Sequence, residues 1–445
     1  MTTWWCELAL VGDEVRHGVT VDAEAGRFTS VTPDTVPTAT AERLDGFTLP
    51  GLANTHSHAF HRALRSRTQA GTGSFWTWRE VMYEAAGRLD PERYRRLATA
   101  VFGEMALAGM SVVGEFHYVH HQPDGTPYTN PNAMGEALLA AATDAGIRIT
   151  LLDTLYQHGG LGPDGYTAPT GPQRRYCDAD PTAWAERVSS LPRSSRHVIG
   201  AAIHSVRAVA PDAMAVAADW ARRHGAPLHA HVSEQPAENE ACLDQHGLTP
   251  TELLAEHGVL GPDFCAVHAT HLTDHDIHLL GASGSTVCLC PTTERDLGDG
   301  IGPTSALRDA GVPLHLGSDS HAIIDHFEEA RALELDERLR SRQRGLHHAP
   351  ALISAATQVG HEALGWPDAG RIEVGRRADL TTITLDSVRT SGTPPELAVA
   401  GAVFAAAAAD VTTVVVDGTT IVRDGVHRRI DVARALATTI EELFS

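Results

Sequence analysis

The chain has no lysine, because all 35 of its basic residues are arginine. A Schiff base between a substrate and an internal lysine is therefore excluded. A pair of metal ions bridged by a carboxylated lysine is excluded for the same reason. Any chemistry must use other side chains, and the 445-residue sequence contains 26 histidines.

Cysteines and long apolar runs are also scarce. Six cysteines are scattered without a CxxC pair, which predicts reduced thiols in the cytoplasm. The longest strongly apolar stretch, 398–409, is too short to span a bilayer. The first residues lack the basic and apolar segments of a signal peptide, so we expect none. A net charge of −21 argues against nucleic acid or a membrane surface as partner.

Short apolar or β-branched runs alternate with helical stretches along residues 48–370. This alternation is typical of parallel strands connected by helices. Eight such units favour an α/β fold, the closed (β/α)8 or TIM barrel, whose active sites lie at the carboxyl ends of the strands. An open doubly wound sheet is the alternative, but no glycine-rich phosphate loop follows the first strand. The predicted strands are 48–56, 111–117, 148–155, 198–204, 227–231, 265–269, 286–290 and 313–317.

Both ends of the chain have a different pattern. Residues 1–47 contain short alternating runs separated by turns, and residues 371–430 return to this pattern. We expect these two segments to form one small β-sandwich domain beside a barrel of residues 48–370. Residues 431–445 are expected to form a C-terminal helix.

His56 and His58 are separated by one residue near the end of the first predicted strand. Strand side chains repeat every second position, so both imidazoles face one side and could hold the same ion. Imidazole binds zinc, iron, nickel or copper. Such a pair is a weak signal alone, and its weight depends on other ligands.

Further ligand-type side chains stand at the ends of later strands. The fifth strand carries His229 and His231 with Glu234 just beyond, the sixth carries His268, and Asp319 follows the eighth. Each of these could singly be a hydrogen-bonded core residue or a helix cap. Four strand ends of one barrel with such side chains instead predict a metal site.

The sequence resembles the amidohydrolase superfamily over nearly its whole length, and within it the formimidoylglutamate deiminase branch. His56-x-His58 with a late Asp319 is typical of the superfamily. The branch is indicated by SFWTWREVMY at 74–83, GEFHY at 114–118, HSVR at 204–207 and HVSEQ at 231–235. The resemblance implies hydrolysis of N-formimidoyl-L-glutamate to N-formyl-L-glutamate and ammonia, a step in histidine degradation.

The same resemblance implies one divalent metal ion, with Zn²⁺ expected, held by His56, His58, His231 and Asp319. The ion would lower the pKa of a bound water toward 7 and produce hydroxide at neutral pH. A single ion agrees with the missing lysine, although the sequence leaves a glutamate or cysteine bridge open.

Three residues are implied as catalytic groups. A formimidoyl group is a largely cationic amidine, and ammonia leaves its tetrahedral adduct only after protonation. Glu234 is the implied proton carrier, and Asp319 would accept a proton from water. His268 would hydrogen-bond to the hydroxide or the reacting group. Alternatively, it would hold the residues that contact the ion or substrate in position without contacting either itself.

The glutamate part of this substrate carries two carboxylates, which favour arginine as partner. The resemblance implies Arg79 and Arg207 in this role, assisted by Tyr118 and His204. His61 is also implied to contact the substrate. The branch usually has glutamine at that position, and histidine can still donate a hydrogen bond.

The aromatic part of the first branch motif leaves two interpretations open. Phe75, Trp76 and Trp78 could form a wall of the pocket. Their spacing is equally compatible with packing a loop onto the barrel.

Two other functions remain open from the sequence. The chain could deaminate another amidine or a cyclic amidine such as a purine, although a pair of arginines for a dicarboxylate argues against a purine. It could instead be a barrel without metal that serves as a binding protein, but no expected ligand or proton carrier is missing. A homodimer is expected by analogy with similar enzymes.

Overall fold

Eight parallel strands form the central sheet in chain order, and the first and last strands meet where Ser57 bridges Asp319. At this closure the amide of Asp319 donates to the carbonyl of His56 at 3.0 Å, and the amide of His58 donates to the carbonyl of Asp319 at 3.3 Å. The computed structural model describes residues 1–71 and 75–445, without the side chains of Phe75 and Trp76. The predicted (β/α)8 barrel is confirmed. Its strands are Leu52–Ser57, Met110–His117, Arg148–Leu155, His197–Ile203, Leu228–Val232, Phe264–His268, Thr286–Leu289 and Leu314–Leu316.

The predicted first strand, 48–56, is divided at Gly51. Glu42–Pro50 pairs with strands of the second sheet, and Leu52 begins the barrel. A Cβ atom at Gly51 would lie 2.5 Å from Ser111 Oγ and 2.9 Å from Asp379 Cβ. The chain therefore passes from one sheet to the other at a point where only glycine fits.

Both termini build this second sheet, as predicted. Thr2–Val11 runs parallel to Glu42–Pro50, and the other neighbours are antiparallel. Trp4, Phe28 and Leu380 belong to its own apolar core. The division into units at residues 47, 370 and 430 stays a prediction. The sheet order is Val426–His427, Thr419–Arg423, Val411–Val416, Leu380–Ile383, Glu42–Pro50, Thr2–Val11, Glu14–Glu24 and Arg27–Thr32.

A buried ion pair joins the two sheets at the amino-terminal end of the barrel strands. Arg148, the first residue of the third barrel strand, donates to both carboxylate oxygens of Asp379, at 2.9 and 2.5 Å. The same guanidinium lies 3.0 Å from Asp417. Two parallel hydrogen bonds between an arginine and a carboxylate add a defined orientation to the attraction between the charges.

The helices begin and end at local sequence signals. In the described part of the chain, proline, which has no N–H to leave unpaired, is the first residue of six α-helices. Asp90 caps one of them by accepting from the amide of Arg93 at 2.8 Å. Gly146 ends another with φ +85°. The helices are Phe75–Gly87, Pro91–Leu107, Ala133–Ala145, Pro181–Ser189, Pro211–His224, Pro236–His246, Pro250–Glu256, Asp274–Ser283, Pro291–Leu297, Thr304–Asp309, His326–Ser341, Ala349–Ala356, Gln358–Ala363, Ala398–Phe404 and Val432–Phe444.

Short elements complete the fold. A small hairpin, Gly160–Gly162 with Gly165–Thr167, follows the third barrel strand. The 3₁₀ turns among residues 1–71 and 75–445 are Ala59–Leu64, Gly171–Tyr176, Pro395–Leu397 and Ala408–Asp410. Within the described ranges, none of the helices has both the length and the apolar character needed to cross a membrane.

Candidate active site

The carboxyl ends of the first, fifth and eighth barrel strands bring four buried side chains together. His56 Nε2 lies 3.3 Å and His58 Nε2 3.4 Å from Asp319 Oδ1. His56 Nε2 also lies 3.2 Å from His231 Nε2. Four ligands around a tetrahedral zinc ion are about 3.4 Å from one another. These three distances match the spacing of ligands around one tetrahedral ion, and the ligand atoms of His56, His58 and His231 all lie within 4.8 Å of one another.

Two of these imidazoles form a hydrogen bond to a backbone carbonyl through Nδ1, so that Nε2 is available as a metal ligand. His58 Nδ1 donates to the carbonyl of Phe116 at 2.9 Å, and His231 Nδ1 donates to the carbonyl of His204 at 2.8 Å. Backbone carbonyls only accept, so both rings carry the proton on Nδ1 and a lone pair on Nε2. Burial lowers the pKa of both imidazoles well below the ordinary value. They are neutral, the form that binds a metal.

Asp319 supplies the single carboxylate of this cluster. Burial opposes its charge, but hydrogen bonding and charge attraction from His56 and the charge of His268 outweigh burial and hold the pKa of Asp319 well below its usual range. Its backbone has φ +41°, and the nearby Ser233, His268 and His321 also have positive φ. Residues other than glycine rarely adopt a positive φ, and backbone strain of this kind is concentrated at functional sites.

Glu115 fastens the segment that carries the two first histidines. Ser57, which faces away from them, donates to Glu115 Oε2 at 2.5 Å, and the amide of Ala59 donates to Oε1 at 2.7 Å. Glu115 is fully buried at the end of the second barrel strand. Glu115 belongs to the GEFHY motif but has no predicted function, and its place near the end of a strand is the signal that could have indicated one.

Glu234 and His268 lie beside the cluster. His268 Nε2 is 3.9 Å from Glu234 Oε1 and 3.9 Å from Asp319 Oδ2. Burial opposes protonation of His268, but the carboxylates of Glu234, Glu294 and Asp319 outweigh it and raise the pKa of the imidazole well above its usual value. Glu294, whose Oε1 lies 3.4 Å from His268 Nδ1, was missed by the sequence analysis.

Arg207 stands between two carboxylates without a hydrogen bond to either. Its Nη2 lies 3.8 Å from Glu234 Oε2, and its Nε lies 3.5 Å from Glu238 Oε2. Among the described residues, Arg207 Nε and both carboxylate oxygens of Glu238 lack a hydrogen-bond partner. The guanidinium is held by charge and retains donors for a ligand.

We call His56, His58, His231 and Asp319 the His/Asp cluster. A cavity of about 150 Å³ extends from this cluster to the two predicted substrate arginines. Four tyrosines contribute to its wall, and of these only Tyr118 is a predicted substrate-binding residue. Tyr156 and Tyr176 directly follow a strand or end a turn, and Tyr83 belongs to the quoted motif. The cavity is lined by His58, His61, Trp78, Arg79, Met82, Tyr83, Tyr118, Tyr156, Gly159, Gly160, Leu161, Tyr176, His204, Ser205, Arg207, Ala208, His231, Glu234, His268, Leu297 and Asp319.

The remaining predicted substrate residues lie on this wall. Arg79 Nε donates to Tyr83 Oη at 2.6 Å. His61 Nε2 is 2.9 Å from Tyr118 Oη, and the ring of His204 lies 4.6 Å from that of Tyr156. Burial lowers the pKa of His61 to about 3, so this ring is neutral.

Trp78 is half-buried, lines the cavity and meets the ring of His61 edge-on at 5.1 Å. The predictions for the side chains of Phe75 and Trp76, and the Ser74 of the same motif, lie outside the described residues.

His117, His120 and Asp153 form a second buried group with ligand-type spacing. Arg187 already donates to both carboxylate oxygens of Asp153, at 2.9 and 2.7 Å. A permanent cation is thus paired with the only carboxylate of this group, and a metal ion there would be repelled. The His/Asp cluster in the cavity is the better metal site.

Fold and site together indicate an enzyme built on a (β/α)8 barrel with a candidate metal site at the carboxyl ends of the strands. Residues 47–421 match the Amidohydrolase family. The chain therefore belongs to the amidohydrolase family, and the predicted resemblance is confirmed. The protein is a hydrolase of carbon–nitrogen bonds.

Individual relatives narrow the comparison. The chain is 36% identical to formimidoylglutamate deiminase of Pseudomonas aeruginosa over 458 residues, which covers 100% of both chains. It is 30% identical to 8-oxoguanine deaminase of the same organism, over 87% of this chain and 85% of that protein.

Solved structures agree on the fold. The amidohydrolase from Brucella melitensis superposes with a TM-score of 0.92 at 33% identity, over 100% of both chains. An adenosine deaminase from Xanthomonas campestris with bound zinc has a TM-score of 0.85 at 23% identity, over 100% of this chain and 97% of that one. The second likeness shows the fold alone.

Proposed function

We propose that this protein hydrolyses N-formimidoyl-L-glutamate to N-formyl-L-glutamate and ammonia. The observation that carries the proposal is one cavity lined by His58, His231 and Asp319 and also by two arginines, Arg79 and Arg207. A substrate with an amidine at one end and carboxylates at the other matches both. The full-length likeness to formimidoylglutamate deiminase of P. aeruginosa supports the same substrate.

One divalent ion, Zn²⁺, is proposed to be held by His56, His58, His231 and Asp319. Three imidazole nitrogens and one carboxylate oxygen are a donor set that zinc favours. When bound, the ion supplies Lewis acidity that lowers the pKa of water toward 7. The absence of lysine supports a single ion, and the zinc bound by the adenosine deaminase of the same fold supports its identity.

Two carboxylates handle the protons. Asp319 accepts one proton from the attacking water while the water oxygen bonds to the formimidoyl carbon. This proton passes to Glu234, which delivers it to the terminal nitrogen of the adduct. The bond between carbon and this nitrogen then breaks as Asp319 accepts the hydroxyl proton of the adduct, and this second proton leaves with ammonia as ammonium. His268 Nε2, which faces both carboxylates at 3.9 Å, donates a hydrogen bond to the reacting group.

The glutamate part is bound by residues on the rest of the wall. Arg79 and Arg207 pair with the carboxylates, because a guanidinium presents several donors in a fixed fork. Tyr118, His204 and His61 supply further hydrogen bonds. Histidine in place of glutamine at residue 61 retains a donor or an acceptor, according to its tautomer.

The proposal is tested by following ammonia release from N-formimidoyl-L-glutamate, with adenosine and 8-oxoguanine as cyclic comparison substrates. We expect turnover of the first alone. Release of formamide and glutamate would contradict the proton delivery by Glu234. Removal of metal with a chelator is expected to abolish turnover, and Zn²⁺ to restore it.

Two variants separate the proposed roles. Arg207→Met is expected mainly to raise KM, and Glu234→Gln mainly to lower kcat. Arg222→Met, which removes an exposed guanidinium, serves as the control for loss of an arginine. Equal and small effects of the first two variants would contradict the assignment.

We further propose a homodimer that acts in the cytoplasm in histidine degradation. This rests on the family likeness and on six cysteines that remain free thiols among the described residues. Light scattering of the eluting protein tests the oligomeric state, and a monomeric mass contradicts it.

A further inference from the structure

Gln173 has a side-chain amide whose orientation is fixed by backbone groups at both ends. Its Oε1 accepts from the amide of Thr170 at 3.1 Å, and its Nε2 donates to the carbonyl of Gly159 at 2.8 Å. A backbone N–H only donates and a carbonyl only accepts, so the amide cannot be reversed without losing both bonds. The Nε2 group is therefore held in place as a donor.

The second N–H of Gln173 donates to the phenol oxygen of Tyr156 at 3.2 Å. Because that oxygen accepts, the O–H proton of Tyr156 must point elsewhere. No acceptor for this proton is found among residues 1–71 and 75–445. Tyr156 is only 4% exposed and lines the cavity, and a buried donor without a partner is costly. The phenol is thus poised to donate to a molecule in the cavity.

The neighbours of Tyr156 indicate the charge of that molecule. Arg79 Nη2 lies 3.5 Å from the same Gly159 carbonyl that Gln173 contacts, which brings Arg79 close to Tyr156. Arg207 and His204 line the cavity beside them. A carboxylate is negatively charged and only accepts hydrogen bonds, so it suits a phenol donor that lies close to two guanidinium groups.

We propose that Tyr156, oriented by Gln173, is a further substrate-binding residue that donates to a carboxylate oxygen of the substrate. The inference rests on the proposed function and adds a specificity element to it. Gln173 acts through Tyr156 and is a positioning residue.

The first test compares Tyr156→Phe with wild type on N-formimidoyl-L-glutamate and on formamidine, which lacks both carboxylates. Loss of one hydrogen bond to a charged group is expected to raise KM for the first substrate about tenfold to a hundredfold. The kcat for this substrate and the turnover of formamidine are expected to remain within about threefold. Tyr128→Phe is the control for loss of a phenol, because Tyr128 is half-buried and is not among the residues that line this cavity.

The second test reverses the hydrogen bond without touching Tyr156. In Gln173→Glu the new carboxylate accepts the phenol proton and turns it away from the cavity. We expect a rise in KM like that of Tyr156→Phe, with formamidine turnover retained. The double variant is expected to be no worse than either single variant, since both remove the same interaction.

The outcomes separate the inference from the proposed function. A wild-type enzyme that releases no ammonia from N-formimidoyl-L-glutamate overturns both. An active wild type with an unchanged KM in Tyr156→Phe overturns the inference alone. Equal loss of both substrates in Tyr156→Phe also overturns it, because the residue would then have a structural role.

Discussion

His268 and Glu294 form a pair in which the imidazole Nδ1 lies 3.4 Å from the carboxylate Oε1. The amide of Cys290 donates to the same oxygen at 2.8 Å and fixes the carboxylate. The pair is satisfied when His268 carries a proton on Nδ1, which leaves Nε2 directed at Glu234 and Asp319. Glu294 therefore orients the imidazole from the side remote from the reacting group.

We expect Glu294→Gln to lower kcat about tenfold to a hundredfold with little change in KM. The neutral amide weakens a charge-assisted hydrogen bond that holds the ring in place. Steady-state kinetics on N-formimidoyl-L-glutamate measure both constants, and metal analysis checks that the ion is retained.

The control for this change is Asp296→Asn on the same helix, where the carboxylate is exposed and accepts from Gln69. It is expected to behave as wild type. A large rise in KM or a loss of metal in Glu294→Gln would show that the residue does not act through the orientation of His268.

The barrel and the clustering of its ligand-type residues could be foreseen because both depend on local patterns. Alternation of strands and helices predicts the barrel, and the parallel strands then bring His56, His231 and Asp319 to the same end whatever their sequence separation. The roles carried over for these residues stay predictions.

The supporting groups could not be foreseen, because they depend on contacts across the sequence. Glu238 meets Arg207 and Glu294 meets His268 only once helices pack against strands. The division of the first strand at Gly51 depends likewise on the close approach of Ser111 and Asp379. Sequence periodicity predicts helices and strands, but it does not predict which side chains of different elements come into contact.

Gly317 allows His56 to occupy its place, and Gly317→Ala tests this requirement. A Cβ at Gly317 would lie 2.6 Å from His56 Cβ and 3.0 Å from Cys290 Sγ, so His56 must shift. We expect the metal affinity to fall about tenfold to a hundredfold, as when groups that support a ligand are altered. Competition with a chelator measures the affinity.

Gly261→Ala is the matched control, because no atom lies within 4 Å of a Cβ there and its φ is not positive. It is expected to bind metal as wild type does. Undiminished affinity in Gly317→Ala would mean that His56 is not needed as a ligand or that the strand adapts freely.

The Arg148–Asp379 pair gives the last prediction, which concerns stability and its dependence on pH. Burial opposes the charge of Asp379, but Arg148 outweighs it and holds the pKa of the carboxyl below its usual range. Asp379→Asn leaves a buried guanidinium without its main partner and is expected to lower the free energy of unfolding by about 3–5 kcal/mol at pH 7. Urea-induced unfolding measures this difference, and Asp219→Asn, at an exposed ion pair, is the control.

The sign of the pH effect follows from the depressed pKa of Asp379. Such a carboxyl stabilises the folded protein fully at pH values above its unfolded pKa of about 3.9, and this contribution is lost as the pH falls through the lower folded-state pKa. The gap between wild type and Asp379→Asn should therefore be the same at pH 7 and pH 6, and should narrow below about pH 4. If the difference in the free energy of unfolding widened on acidification, the Asp379 carboxyl would be protonated in the folded protein. Arg148 would then not keep Asp379 ionised.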